Sequence, residues 1–257
     1  MKNNPNPVLR LTAALGAAAL VLRTILYLAG RDGKGLLIPG HPLNILIWAV
    51  TGAAVVLVSL AVRPLDGSRK YSDNFGPSSS AAMGCFAMAG GIALSILSGW
   101  QVWTRLELVR NLCGLASVPA LVVLGLHRRK GKQPFFLFHG MVCLYLILYA
   151  VSHYQAWSSR PQLQDYFFCM VGSILLCLFA YQQTAFDVSL GKRRMQLFTG
   201  LLTGFFCLAA LAGGEDLLLY FGGAVWALTG LCRLTPVPRR RRNPITEGQQ
   251  ENSHEAS

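Results

Sequence analysis

Residues 121–154 read LVVLGLHRRKGKQPFFLFHGMVCLYLILYAVSHY. Two apolar runs flank a short basic turn made of Arg128, Arg129, Lys130 and Lys132, and neither run carries a Lys, Arg, Asp or Glu in this stretch. A soluble helical hairpin needs a polar face to meet water; these runs have none of the required width. The pattern is that of two membrane-crossing helices joined by a basic loop, and basic loops are retained on the cytoplasmic side.

The rest of the chain repeats the plan. A crossing needs about 20 mainly apolar residues to span roughly 30 Å of hydrocarbon. Eight stretches qualify: Val8 to Ala29, Leu43 to Val62, Ser80 to Trp100, Leu106 to Leu126, Phe135 to Ser152, Tyr166 to Phe186, Met195 to Ala212 and Leu217 to Leu234. The last two meet at Gly213, Gly214, Glu215 and Asp216, whose glycines and carboxylates favour a turn over one long helix. The first resembles a secretory signal, with Lys2 and Arg10 ahead of Leu11 to Leu22, but the apolar run resumes after Arg23 and is long enough to span.

Seventeen of the 23 Lys and Arg residues fall in every second gap. They are Lys2 and Arg10; Arg63, Arg69 and Lys70; the four of the basic turn; Lys192 to Arg194; and Arg233 with Arg239 to Arg242. The opposite gaps hold Arg31, Lys34, Arg105 and Arg160, while Arg23 and Arg110 lie inside spans. The expectation is an all-α, polytopic transmembrane helical bundle of eight spans in the cell membrane, with both termini cytoplasmic. Residues 1–235 form a single membrane domain. Residues 236–257 read as a disordered cytoplasmic tail that opens on Arg239, Arg240, Arg241 and Arg242, a run suited to anionic lipid headgroups or acting simply as an orientation signal.

Composition narrows the function classes. Only 13% of the 257 residues are charged, against about 25% in soluble domains. The formal charge of +12 is accounted for at helix ends, so nucleic acid is not an expected partner. Seven cysteines form no CxxC pair and sit in or beside apolar runs, as small packing residues do. HExxH, GxSxG and Walker-type loops do not occur, and His139 and His153 are 14 residues apart on one helix, about 21 Å, too far to share a metal. No cofactor is implied, and an enzyme ranks last among the functions.

Charges inside the bilayer are the main functional signal, since an Arg at a helix centre costs about 2.5–3.5 kcal/mol on insertion scales unless it pairs or snorkels. Arg23, Glu107 and Arg110 fall in the outer half of the bundle. His153, Asp165 and Trp103, with further Trp and Tyr residues, lie at the same level by topology. These six residues are the candidate ligand site: an outward-facing polar cavity in which Arg23 and Arg110 bind an anionic group. The competing account is that Arg side chains extend to headgroups and the aromatics form an interfacial belt. A second polar stretch, Tyr181, Gln182, Gln183, Thr184 and Asp187, lines the cytoplasmic end of the sixth span or serves hydrogen bonding there.

Packing signals are clearer. Ala87, Gly91, Ser95 and Gly99 recur every four residues in the third span, and Gly200 and Gly204 in the seventh, as helix-contact faces. Pro119 inside the fourth span frees the carbonyl of Leu115 and predicts a kink. Residues 63–79 read as an irregular loop.

The segments KGLLIPGHPLNILIW, SSRPQLQDY and AYQQTAFDV resemble those of uncharacterised multi-pass membrane proteins of clostridial bacteria. That resemblance implies a plasma-membrane location and no particular activity. Two functions therefore compete: a small-molecule permease or exporter with an outward-facing polar site, or a non-transporting sensor or assembly partner of a larger membrane complex.

Overall fold

A computed structural model describes residues 7–31, 37–38, 40–63, 68–98, 104–158, 166–214 and 216–231. These residues form helices and no strand: α1 (Pro7–Ala29), α2 (Pro42–Val62), α3 (Tyr71–Asn74), α4 (Ser79–Ser98), α5 (Arg105–Lys130), α6 (Phe136–Ser158), α7 (Phe167–Asp187), α8 (Arg193–Ala210) and α9 (Leu217–Thr229). A 3₁₀ turn, Leu211–Gly213, extends α8. Apolar runs of this length become helices because hydrocarbon offers no partner for a free N–H or C=O.

Among the described residues, seven helices are long and apolar enough to cross a membrane: α1, α2, α4, α5, α6, α7, and α8 with its 3₁₀ extension. The eighth expected crossing corresponds to α9, whose 13 residues cover about 20 Å at 1.5 Å each. That is short of the roughly 30 Å of hydrocarbon. The proposed tail and its run Arg239 to Arg242 lie outside the described residues.

Two apolar cores organise the bundle. One is built chiefly from α4, α5, α6, α7 and α9, around Met88, Ile92, Leu121, Leu146 and Leu176. The other joins α1, α2 and α8 around Ala19, Ile47, Ala54, Leu201 and Phe205. α8 is the shared wall, packing on α1, α2, α7 and α9. α5 runs unbroken through Pro119 and ends at Gly131, which adopts φ +66°.

The closest approach is between α4 and α9. A Cβ added at Gly84 would lie 2.4 Å from the Trp226 nitrogen, one at Gly91 2.7 Å from the Leu219 nitrogen, and one at Gly222 2.6 Å from the Met88 nitrogen. Backbone here rests on backbone, as small residues permit in membranes. The contact line thus uses Gly84 and Gly91, two turns apart; of the expected four-residue stripe, Gly91 is on it, Ala87 and Ser95 are only half-buried and Gly99 lies outside the described residues. On α8, Gly200 and Gly204 receive Leu231 and Leu228, in keeping with the expected contact face.

The loop after α2 is more ordered than its composition suggests. Tyr71 and Phe75 are buried, and the Asn74 side chain donates to the carbonyls of Ser68 and Lys70, tying the segment into a compact turn. Above it sits Arg128, only 7% exposed although it belongs to the basic turn. Its guanidinium donates to the Tyr71 hydroxyl (3.1 Å) and to the Gly230 carbonyl (2.9 Å), and lies 4.4 Å from the centre of the Phe75 ring. Gln183 and Gln196 donate to the same carbonyl at 3.0 and 3.4 Å. Side chains from α5, α7 and α8 therefore converge where α9 ends.

Candidate functional site

At the opposite end, α9 begins beside a cluster of polar groups facing the bundle interior. Asp216, in the turn before α9, has φ +44°, a left-handed conformation that aspartate tolerates better than most residues. This turn brings its carboxylate to α6. The Tyr149 hydroxyl donates to Asp216 Oδ2 at 2.7 Å, and His153 Nε2 lies 3.5 Å from the same oxygen. Tyr149 is also 3.3 Å from the Tyr220 hydroxyl, which donates to the Cys169 carbonyl at 3.0 Å. Each phenol has one proton. With both protons directed elsewhere, the 3.3 Å contact between them is the weak link of the chain.

Arg110 enters from α5. It donates to Ser152 Oγ at 3.1 Å and, through Nε, to Asn111 Oδ1 at 3.2 Å. Asn111 is buried, and its Nδ2 has no partner among the described residues. A buried donor left unsatisfied costs about 1–3 kcal/mol. That cost is removed if a ligand or water brings an acceptor.

Burial pushes the Asp216 carboxyl up, but hydrogen bonds from His153 and Tyr149 and the positive charges of His153 and Arg110 outweigh it. The net effect holds Asp216 below the usual aspartate range, so it is a carboxylate at neutral pH. Aromatic rings wall the site along α6. Tyr149 and His153 have ring centres 3.9 Å apart, His153 and Trp157 5.1 Å, and Trp157 stacks on Tyr166 at 4.9 Å. The arrangement offers a guanidinium, a carboxylate and an imidazole within one aromatic-lined corner, which suits a small polar ligand bearing charge.

Of the residues singled out from sequence, Arg110 and His153 come together here. Glu107 is close enough to Arg110 and His153 for their charges to act on it, but its hydrogen bonds are made at the start of α5. Its carboxylate accepts from the Thr104 nitrogen (2.8 Å) and hydroxyl (3.0 Å), while Thr104 caps the Glu107 nitrogen. It is the acidic member of a capping box, and the Thr-x-x-Glu spacing at 104–107 was the available signal. Trp103 and Asp165 lie outside the described residues.

Arg23 is placed against other helices. It is 4% exposed, donates to the Ala209 carbonyl on α8 and to the Tyr27 hydroxyl, and lies 4.5 Å from the centre of the Phe168 ring on α7. These contacts join α1 to α8 in the manner of a structural tie. Sequence reasoning missed Asp216 as a site residue, because it reads as a turn acid, and missed Tyr149 and Tyr220, which read as apolar filling.

The two α6 histidines each meet a carboxylate, His153 that of Asp216 and His139 that of Asp187. Among the described residues no group of three His, Cys, Asp or Glu could hold a metal ion. Comparison of the chain with protein-family models, with curated proteins and with solved structures finds no match in any of the three.

Proposed function

We propose that this integral membrane protein is a small-molecule permease or exporter whose polar site is the Arg110, His153 and Asp216 corner. The basic residues of alternate gaps support an orientation with this corner outward and the Arg128 end cytoplasmic. On this reading α9 makes the eighth crossing and both termini are cytoplasmic. The plasma membrane implied by the clostridial resemblance is the membrane concerned.

One observation carries the reading. From Asp216 to Gly230 is 14 residues of essentially helical chain, about 21 Å. Hydrocarbon is roughly 30 Å thick. The polar groups gathered at the two ends of α9 therefore stand closer together than the membrane surfaces. Such groups are stable at that depth when a recess brings water or solute to them. Two recesses separated by a thin apolar layer are what an alternating-access carrier requires. In support, that layer contains Met88, Ile92, Leu146 and Leu176, all fully buried.

The assembly-partner reading drew on the small-residue stripe of α4. Of that stripe, Gly91 is covered by α9 of the same chain, while Ala87 and Ser95 are half-buried. Solute flux into proteoliposomes, screened over small zwitterions, organic anions and organic cations, tests the proposal. Flux that Arg110→Ala and Asp216→Asn abolish, with both variants still folded, is the expected result. No flux of any of these classes, together with a stable co-purifying protein, would favour the sensor or assembly role.

A further inference from the structure

Arg110 and Asp216 bring opposite charges to the same corner without pairing with one another. The link between them is indirect: Arg110 donates to Ser152 Oγ, which lies 3.5 Å from His153 Nδ1, and the far ring nitrogen, Nε2, lies 3.5 Å from Asp216 Oδ2. The guanidinium is nevertheless near enough for its charge to act on the carboxylate. Nor does Arg110 pair with Glu107, three residues earlier, whose carboxylate is held by Thr104.

Both charged groups keep unused bonding capacity. A guanidinium has five N–H donors, and Arg110 spends one at Nε on Asn111 and one at Nη1 on Ser152. Its remaining N–H groups have no partner among the described residues. Beside them the buried Asn111 amide nitrogen also lacks an acceptor. Across the corner, Oδ2 of Asp216 takes the Tyr149 hydroxyl and faces His153, while Oδ1 has no partner among the described residues. The Asp216 side chain is 19% exposed and that of His153 17%, so the corner is within reach of a solute.

α5 thus offers spare donors with a positive charge, and the turn before α9 offers a spare acceptor with a negative one. A solute with only an anionic group satisfies Arg110 but meets the Asp216 carboxylate, and one with only a cationic group satisfies Asp216 but meets the guanidinium. Either leaves one charge without compensation in a partly desolvated place, which is costly. A solute that carries both charges compensates both groups and adds no net charge to the membrane interior.

On the permease reading above, on which this rests, we infer that the transported solute is a zwitterion, a carboxylate and an ammonium on one short skeleton as in an amino acid. The carboxylate sits on Arg110, whose planar fork matches it. The ammonium supplies the donors that Asp216 Oδ1 lacks. Selectivity then comes from repulsion as much as attraction: each residue holds one end of the zwitterion and rejects the analogue that lacks that end.

The full-length protein in nanodiscs is titrated calorimetrically with matched trios of zwitterion, acid and amine: glycine, acetate and methylamine; γ-aminobutyrate, butyrate and propylamine; L-phenylalanine, 3-phenylpropionate and phenethylamine. In at least one trio the zwitterion should bind about tenfold or more tightly than either companion, the factor that one hydrogen bond to a charged group supplies. Asp216→Asn should erase the advantage over the acid and keep that over the amine; Arg110→Gln should do the reverse. The wild-type comparison requires no variant to fold.

Equal affinities within every trio, or no binding in any, overturn the zwitterion assignment. So does either variant weakening all three members of a trio alike, as a merely structural role would. Proteoliposomes separate this outcome from the permease reading: flux confined to acids or to amines sinks the zwitterion and leaves a permease. A zwitterion bound with the expected preference but never moved sinks the permease reading alone.

Discussion

Replacing Gly84 with Ala should destabilise the protein much more than the same change at Gly90, six residues along the same helix. The two substitutions share any gain in helix propensity, which is close to 1 kcal/mol in soluble hosts, so their difference isolates packing. At Gly90 a new Cβ meets nothing within 4 Å. At Gly84 it would lie 2.4 Å from the Trp226 nitrogen and 2.8 Å from both the Gly222 oxygen and the Trp226 Cα. All three atoms are backbone and cannot rotate away. Ordinary separations are about 3.5 Å or more, so α9 must withdraw by about 1 Å. A gap of that size forfeits about a quarter to a half of the dispersion well for each pair along the contact.

Overpacking of this kind typically costs about 1–3 kcal/mol, or roughly 5- to 160-fold in the unfolding equilibrium. The assay is SDS titration of each purified variant in mixed micelles, followed by tryptophan emission and circular dichroism. Matching midpoints for Gly84→Ala and Gly90→Ala would refute the backbone contact. They would also remove the main reason for placing α9 within the bundle.

Four further outcomes are expected. Arg23→Leu should lower stability by about 1–3 kcal/mol, the cost of stranding the Ala209 carbonyl, and leave solute specificity unaltered; a changed specificity would return Arg23 to the ligand site. Asp216→Asn should cost about 1.5–3 kcal/mol, the usual worth of hydrogen bonds to a charged group, by the same SDS assay. Because the folded Asp216 titrates below the ordinary aspartate range, its contribution is present above that range and is lost as pH falls through the folded value; the Asn variant should lack this acid-sensitive component, and identical acid profiles would contradict the assignment. Tyr149→Phe, which removes the hydroxyl that reaches both Asp216 and Tyr220, should weaken solute transport without changing the helix content seen by circular dichroism.

Much of the fold was legible because lipid leaves the backbone little choice. Runs such as Phe135 to Ser152 had to be helical, although the helix itself continues past the polar residues His153 and Gln155 to Ser158. What packs against what was less legible. The four-residue stripe on α4 drifts about 40° per step around an ideal helix, whereas seven residues return within about 20° of the starting face. The seven-residue pair Gly84 and Gly91 is therefore the one that stays beneath a neighbouring helix.

The candidate site was half legible. Arg110 and His153 stood out as charge and imidazole in apolar surroundings. Asp216 did not, since a carboxylate in a Gly-rich turn normally faces water, and only the left-handed turn directs it back to Tyr149. Arg128 was hidden in a different way. It sits beside Arg129 and Lys130, which are exposed, and nothing in the order Arg-Arg-Lys reveals which one turns inward.

The carbonyl of Gly230 has three suitors, Arg128, Gln183 and Gln196, and only two lone pairs. The longest of the three contacts, 3.4 Å from Gln196, is the natural spare. A joint with one donor in reserve can exchange partners without passing through a bare carbonyl. α5 or α7 could let go of α9 while another helix takes its place. The seam thereby keeps the end of α9 bonded when any single donor is lost, a redundancy that a one-to-one set of bonds would not have.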